Sequence, residues 1–222
     1  MSETTLRIGR RDGGTIVMDA GDLGRAFFSA PVVDRFEEVA GTTARDAITP
    51  RDIAHLNSLM GARSPHALWQ PLLGPRRWLR RIDPQLDLIR ASERTWRELD
   101  GDELVRGALD ACIGPGRKAA VSTKLLHLKR PRLFPMLDRF VVELMGPRRG
   151  VGGDVDDAVD LVLHLRAEGR ANGEALRAIQ RDLRENGTDV PLVRILDAAL
   201  WSSHPAAGTI GGRPRVFRCS LA

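Results

Sequence analysis

The chain has 222 residues, of which 42% are hydrophobic and 28% charged, an ordinary globular balance that excludes a disordered or low-complexity protein. The net charge of +5 and a sequence pI near 10.1 suit an anionic partner. No apolar run approaches the roughly 20 residues needed to span a bilayer. The amino terminus carries no secretory h-region, so a cytoplasmic protein without membrane contact is expected.

Read in chain order, the first elements are two short β-prone runs, TLRIG and TIVMD, around Asp12-Gly13-Gly14, a hairpin signal. This hairpin and its connector occupy residues 1–30. Thr49-Pro50-Arg51-Asp52 carries a cap, a proline at the first helical position and an acidic third residue, and so starts a helix through IAHLNSLMG. Further helices are expected over 65–73, 76–81 and 84–98, each set off by Pro or Gly. Asp100 reads as the cap of a helix whose apolar stripe runs through Leu104, Val105, Ala108, Leu109 and Cys112. Residues 154–168, 173–185 and 189–202 read as three more helices, the last with an Asp189 cap and Pro191 at its start. PRRGVGG at 147–153 reads as a flexible link, and RPRVFRCSLA offers a last short strand. The whole is expected to be one compact unit, mainly α. It has a helical core over 48–146, a carboxy-terminal helical lobe and tail over 154–222, and a small terminal β hairpin or sheet.

Cysteine and histidine placement adds negative information. Cys112 and Cys219 are far apart, and the five histidines show no HxH or HxxxH spacing, so neither a metal site nor a disulfide framework is expected. The basic residues are more informative. Only three of 34 are lysine, namely Lys118, Lys124 and Lys129, and all lie within twelve residues. A guanidinium stays protonated and cannot replace an amine nucleophile, which draws attention to this segment.

At its centre stands Ile113-Gly114-Pro115-Gly116-Arg117-Lys118. Two glycines around one residue permit a tight turn between helices and let backbone N–H groups approach a phosphate. The helix that follows would present its N-terminus and a basic pair to that phosphate. A loop over 130–138, RPRLFPMLD, then leads to Asp138, 22 residues after Gly116.

These motifs resemble the helix-hairpin-helix superfamily of base-excision DNA glycosylases, which includes endonuclease III, 8-oxoguanine glycosylase and adenine glycosylase. The resemblance covers about 45 residues, 101–146, with the helix-hairpin-helix at 101–128. Phe134-Pro135-Met136-Leu137-Asp138 is similar to the Phe-Pro-hydrophobic-Leu-Asp run of adenine glycosylases. Pro115 replaces the usual Val or Ile, Arg139-Phe140 replaces the small or polar residues that commonly follow the aspartate, and the four-cysteine iron–sulfur motif of endonuclease III is absent.

The resemblance implies a two-lobed helical fold and a monomer that binds double-stranded DNA and flips out a base without a cofactor. The enzyme would cut the N-glycosidic bond of a damaged or modified base, leaving an abasic site. Asp138 is the implied catalytic aspartate. Lys118 falls where lyase members keep their Schiff-base lysine, at the rim of a buried face about one turn into its helix. A monofunctional enzyme is nevertheless expected, because Pro115 and the longer loop to Asp138 shift this geometry. Gly114, Gly116, Arg117, Lys124, Lys129 and Arg132 are expected to contact the DNA backbone. Asn57, Arg63, His66 and Trp69 are candidates for a wedge or base pocket. Oxidised purines, alkylated bases, mispaired bases and hypermodified phage cytosines all fit as targets, so both DNA repair and antiviral defence are open. The competing reading is a non-catalytic helix-hairpin-helix module, which needs the glycines and basic residues but no aspartate.

Overall fold

The structure is a computed structural model that describes residues 5–19, 27–28, 31–59, 64–145, 154–204 and 219–221. Strands β1 (Thr5–Gly9) and β2 (Thr15–Asp19) form the expected hairpin, pairing Thr5 with Asp19 and Gly9 with Thr15. The tail strand β5 (Cys219–Leu221) adds to the other side of β2, giving the order β1-β2-β5. Leu6, Ile8, Ile16 and Met18 alternate onto the buried face. The open edge of β1 is covered by side chains: Asn172 Nδ2 donates to Arg7 O and its Oδ1 accepts from Arg7 N, while Glu168 accepts from Gly9 N.

Helices make up most of the rest. They are α1 (Pro31–Val39), α2 (Pro50–Leu59), α3 (Arg77–Arg81), α4 (Glu93–Glu98), α5 (Gly101–Cys112), α6 (Ala119–Lys129), α7 (Arg139–Met145), α8 (Val155–Ala171), α9 (Gly173–Glu185) and α10 (Leu192–Ser203). A two-residue ladder pairs β3 (Ala47–Ile48) with β4 (Gly74–Pro75). The start of α2 is as expected, since Thr49 Oγ1 accepts from Asp52 N and Asp52 Oδ2 accepts from Thr49 N.

Other local expectations are corrected. Residues 66–72 form a 3₁₀ helix with Pro71 inside it rather than an α-helix. The stretch 84–98 is not one helix, because Asp87 Oδ1 accepts from Ile89 N and Arg90 N and turns the chain, and Ser92 caps a separate α4. Asp100 does not cap α5 with its side chain. It takes φ +52, and Gly101 follows because a Cβ there would stand 2.3 Å from the Trp96 ring. Asp189 pairs with Arg184, and Pro191 takes the cap position of α10. The expected 147–153 link lies outside the described residues.

One continuous buried cluster runs from the β1–β2 face through α2, α5, α6 and α8 to α10. Within it α5 packs on α8 and α6, α6 on α2, and α10 on α7, α8 and α9. This arrangement places the carboxy-terminal end of α6, the loop after it and the middle of α10 side by side.

Candidate active site

The hairpin between α5 and α6 is closed by two backbone bonds, Gly114 N to Arg117 O at 3.0 Å and Arg117 N to Gly114 O at 2.9 Å. Gly116 has φ +72, so the backbone demands glycine here, and a Cβ on it would also press the Leu68 side chain at 2.9 Å. Pro115, Gly116 and Lys118 are exposed. A Gly116→Val variant should therefore lose about 1–3 kcal/mol of stability through φ strain alone. If the turn grips a phosphate, the variant should also weaken binding equally on plain and modified duplexes. Denaturant unfolding and fluorescence anisotropy measure the two effects. Weakening confined to a modified duplex would move the turn from backbone grip to base recognition.

Arg117 does not project outward. Its Nε donates to Cys112 O (3.0 Å) and one terminal nitrogen to Leu68 O (2.6 Å). The expected phosphate contact is thus corrected to a strap: the guanidinium satisfies a carbonyl left open at the end of α5 and docks the turn on the 3₁₀ helix. Ser122 Oγ donates to the same Cys112 carbonyl. Lys118 is the cap residue of α6 and is exposed, not a lysine one turn inside at the rim of a buried face.

Lys129 is also corrected. It is buried, with Nζ donating to Asp52 Oδ2 (2.5 Å), Thr43 Oγ1 and Ala44 O, so its charge is consumed inside. Arg130 is likewise internal, bonded to Ile82 O, Arg45 O and Asp46. Arg132 is half-buried and lines a polar cleft with Glu37, Arg90 and Arg184. Trp69 is fully buried, donating to Ser64 Oγ, and is core rather than pocket lining. Asn57 holds Ser64 by its backbone N and O, and His66 is exposed. Arg63 lies outside the described residues.

The loop before Asp138 is held at three successive points. His127 Nδ1 donates to Phe134 O (2.7 Å), Asp197 Oδ2 accepts from Met136 N (2.8 Å), and Thr123 Oγ1 accepts from Leu137 N (3.0 Å). Asp138 itself sits half-buried at the start of α7, its Oδ1 accepting from Phe140 N (2.9 Å) and Val141 N (3.1 Å). Burial raises its pKa from the ordinary carboxylate value; the two N–H groups and the charges of Lys124 and Arg194 oppose that rise.

Lys124, expected to contact the DNA backbone, lies on the turn of α6 that follows Thr123. It is half-buried on α6 rather than fully exposed. Burial lowers its pKa and Arg194 adds to that, while Asp138 works the other way.

Arg194 organises the floor of this region. It is buried, bonded to Glu37 and Asp197, and stacked over the rings of Phe27 (4.9 Å) and Phe28 (5.6 Å). Burial opposes ionisation of Glu37, but Arg194 and His127 outweigh it and hold the carboxyl at about 2. None of Glu37, Thr123, His127, Arg194 and Asp197 was expected from sequence. The available signal was polar residues at helical spacing inside apolar faces, Thr123 and His127 on α6, Arg194 and Asp197 on α10. Next to Asp138, Phe140 stacks on His204 (4.7 Å) and meets Trp201 edge-on (5.7 Å), giving a half-buried aromatic edge.

Comparison with known proteins places this site inside a recognised sequence family. The model of a family of unknown function (DUF6308) matches residues 20–204. The chain belongs to this family. No curated protein and no solved structure matches it. The DUF6308 match takes in the hairpin, the loop and Asp138, together with Glu37, Arg194 and Asp197, and leaves out the β1–β2 hairpin and β5. Among the described residues no group of His, Cys, Asp and Glu could hold a metal ion, and no helix is long and apolar enough to cross a membrane.

Proposed function

We propose that this DUF6308 protein is a DNA glycosylase of helix-hairpin-helix type that grips duplex DNA and cuts the N-glycosidic bond of a flipped, damaged or modified base. The observation that carries this reading is Asp138: a half-buried carboxylate fixed by two N–H bonds, on a loop pinned by three side chains, 22 residues past a Gly-Pro-Gly turn.

Departure of a base leaves positive charge on the sugar ring. A carboxylate that cannot swing away stabilises that charge and can take the proton of the attacking water. The exposed Pro115, Gly116 and Lys118 of the turn suit the neighbouring phosphates.

The test is incubation of the protein with duplexes that each carry one oxidised, alkylated, mispaired or hypermodified base, and with phage genomes, scoring abasic sites. Abasic sites on at least one substrate, absent with Asp138→Asn, are expected. Tight DNA binding with no abasic sites on any substrate would instead make the chain a binding module.

A further inference from the structure

The chain over α3 reads Arg76-Arg77-Trp78-Leu79-Arg80-Arg81-Ile82-Asp83, four arginines to one acid. Leu79 and Ile82 are buried and fix which side of α3 faces the core. Arg77, Arg80 and Arg81 are exposed, and among the described residues none of their guanidiniums has an ion pair or hydrogen bond. Cations are favoured at the C-terminal end of a helix, which would account for Arg80 and Arg81 but not for Arg77 in the first turn.

Two internal arginines fix this element in place. Arg76 turns back on the 3₁₀ helix, its Nε donating to Leu72 O (2.7 Å) and its Nη2 to Pro71 O (2.8 Å). The buried Arg130 donates to Leu79 O, to Ile82 O (3.0 Å) and to Arg45 O (2.8 Å), which brings Arg45 beside the end of α3. Arg45 is exposed and equally without a partner among the described residues. The acids adjoining the group have other work: Asp46 accepts from Arg130, and Asp83 accepts from Gln85 N. Four guanidiniums without a countercharge thus surround one short helix. The Gly-Pro-Gly turn is tied to the same 3₁₀ helix, through Arg117 and Leu68 O.

We propose that Arg45, Arg77, Arg80 and Arg81 form a phosphodiester-binding surface that grips the backbone of duplex DNA together with the turn, resting on the reading that this chain acts on DNA. Elsewhere exposed arginines such as Arg94, Arg106 and Arg184 are spent on acids. On α9, Glu174, Asp182 and Glu185 balance Arg177, Arg181 and Arg184 and leave no net charge. Around α3 the charge is left free. A guanidinium offers paired donors that match phosphate oxygens, and four of them supply contacts that the inward-turned Arg117 and Lys129 do not make. Such a surface reads no base and holds every sequence alike.

The test is fluorescence anisotropy of the full chain on plain and modified duplexes at about 50 to 200 mM salt, where each phosphate contact steepens the fall of log affinity with log salt by about 0.9. The triple variant Arg77→Gln, Arg80→Gln, Arg81→Gln should flatten that slope by about 2–3 and lower affinity at the low-salt end by on the order of 10²-fold, equally on both duplexes. Adding Arg45→Gln should flatten it further. Lysine at the same three positions keeps the charge and should restore most of the slope. The pair Arg177→Gln, Arg181→Gln on α9 should bind as the parent does. All these positions are exposed, so melting temperatures should stay near the parent's. A parental slope in the triple variant, or the same flattening per charge in the α9 pair, would overturn the proposal and leave base excision standing. A flattened slope in a protein that excises no base would uphold the surface and overturn the glycosylase reading. A parent that binds no duplex would overturn both.

Discussion

Replacing Asp138 by asparagine should lower the single-turnover rate of base excision by about 10²–10⁴-fold while leaving duplex affinity nearly unchanged. Asparagine keeps the side-chain oxygen that caps α7 and removes only the charge. Stability should move the other way. Burial raises the folded pKa of Asp138 above its unfolded value, so the ionised form is penalised in the folded chain at neutral pH. That penalty disappears as pH falls through the folded pKa. Asp138→Asn should therefore melt at the same temperature as the parent or higher at neutral pH, with the difference shrinking in acid. Excision by the parent should fail on the acid side at a higher pH than an ordinary aspartate would set. Turnover near the parental rate in Asp138→Asn would remove this carboxylate from the chemistry.

Replacing Arg194 by methionine should cost about 3–5 kcal/mol, because it leaves Glu37 and Asp197 buried without their countercharge. The ring contacts to Phe27 and Phe28 go with it. Glu37 provides a pH signature. Its folded pKa is lowered from 4.5 to about 2, so the stability it contributes is present above the unfolded value and lost as pH falls between the two. Melting curves of the parent should slope downward across that window, and those of Arg194→Met should lose most of the slope. Excision should suffer as well, since Asp197 holds Met136 N and thereby the approach to Asp138. A variant as stable as the parent would mean that this buried cluster does not support the loop.

The sequence was most readable where structure is decided within a few residues. Thr49, Pro50 and Asp52 announce the start of α2 because cap, proline and carboxylate all act within one turn. Gly114-Pro115-Gly116 announces a turn because only glycine takes φ +72 against Leu68 without strain. The location of Asp138 at a helix start was readable for the same local reason. What stayed hidden depends on partners far along the chain. Lys129 looks like a surface charge until Asp52, 77 residues earlier, is folded against it. Arg117 looks like a phosphate ligand until the Leu68 carbonyl arrives from the 3₁₀ helix. Thr123 carries no local sign that the loop after α6 folds back onto its hydroxyl. Trp69 became core because Ser64 meets its indole N–H. The helix expected over 84–98 failed at Asp87, whose side chain competes for the backbone donors that a helix would use.

The most direct measurement is the release of a free base, followed by mass spectrometry, when the intact chain meets the panel of modified duplexes and phage genomes. If Asp138 breaks N-glycosidic bonds, one class of substrate should yield a free base in amounts equal to the abasic sites formed, and Asp138→Asn should yield almost none. DNA bound by the intact chain with no base released from any substrate would contradict the glycosylase assignment.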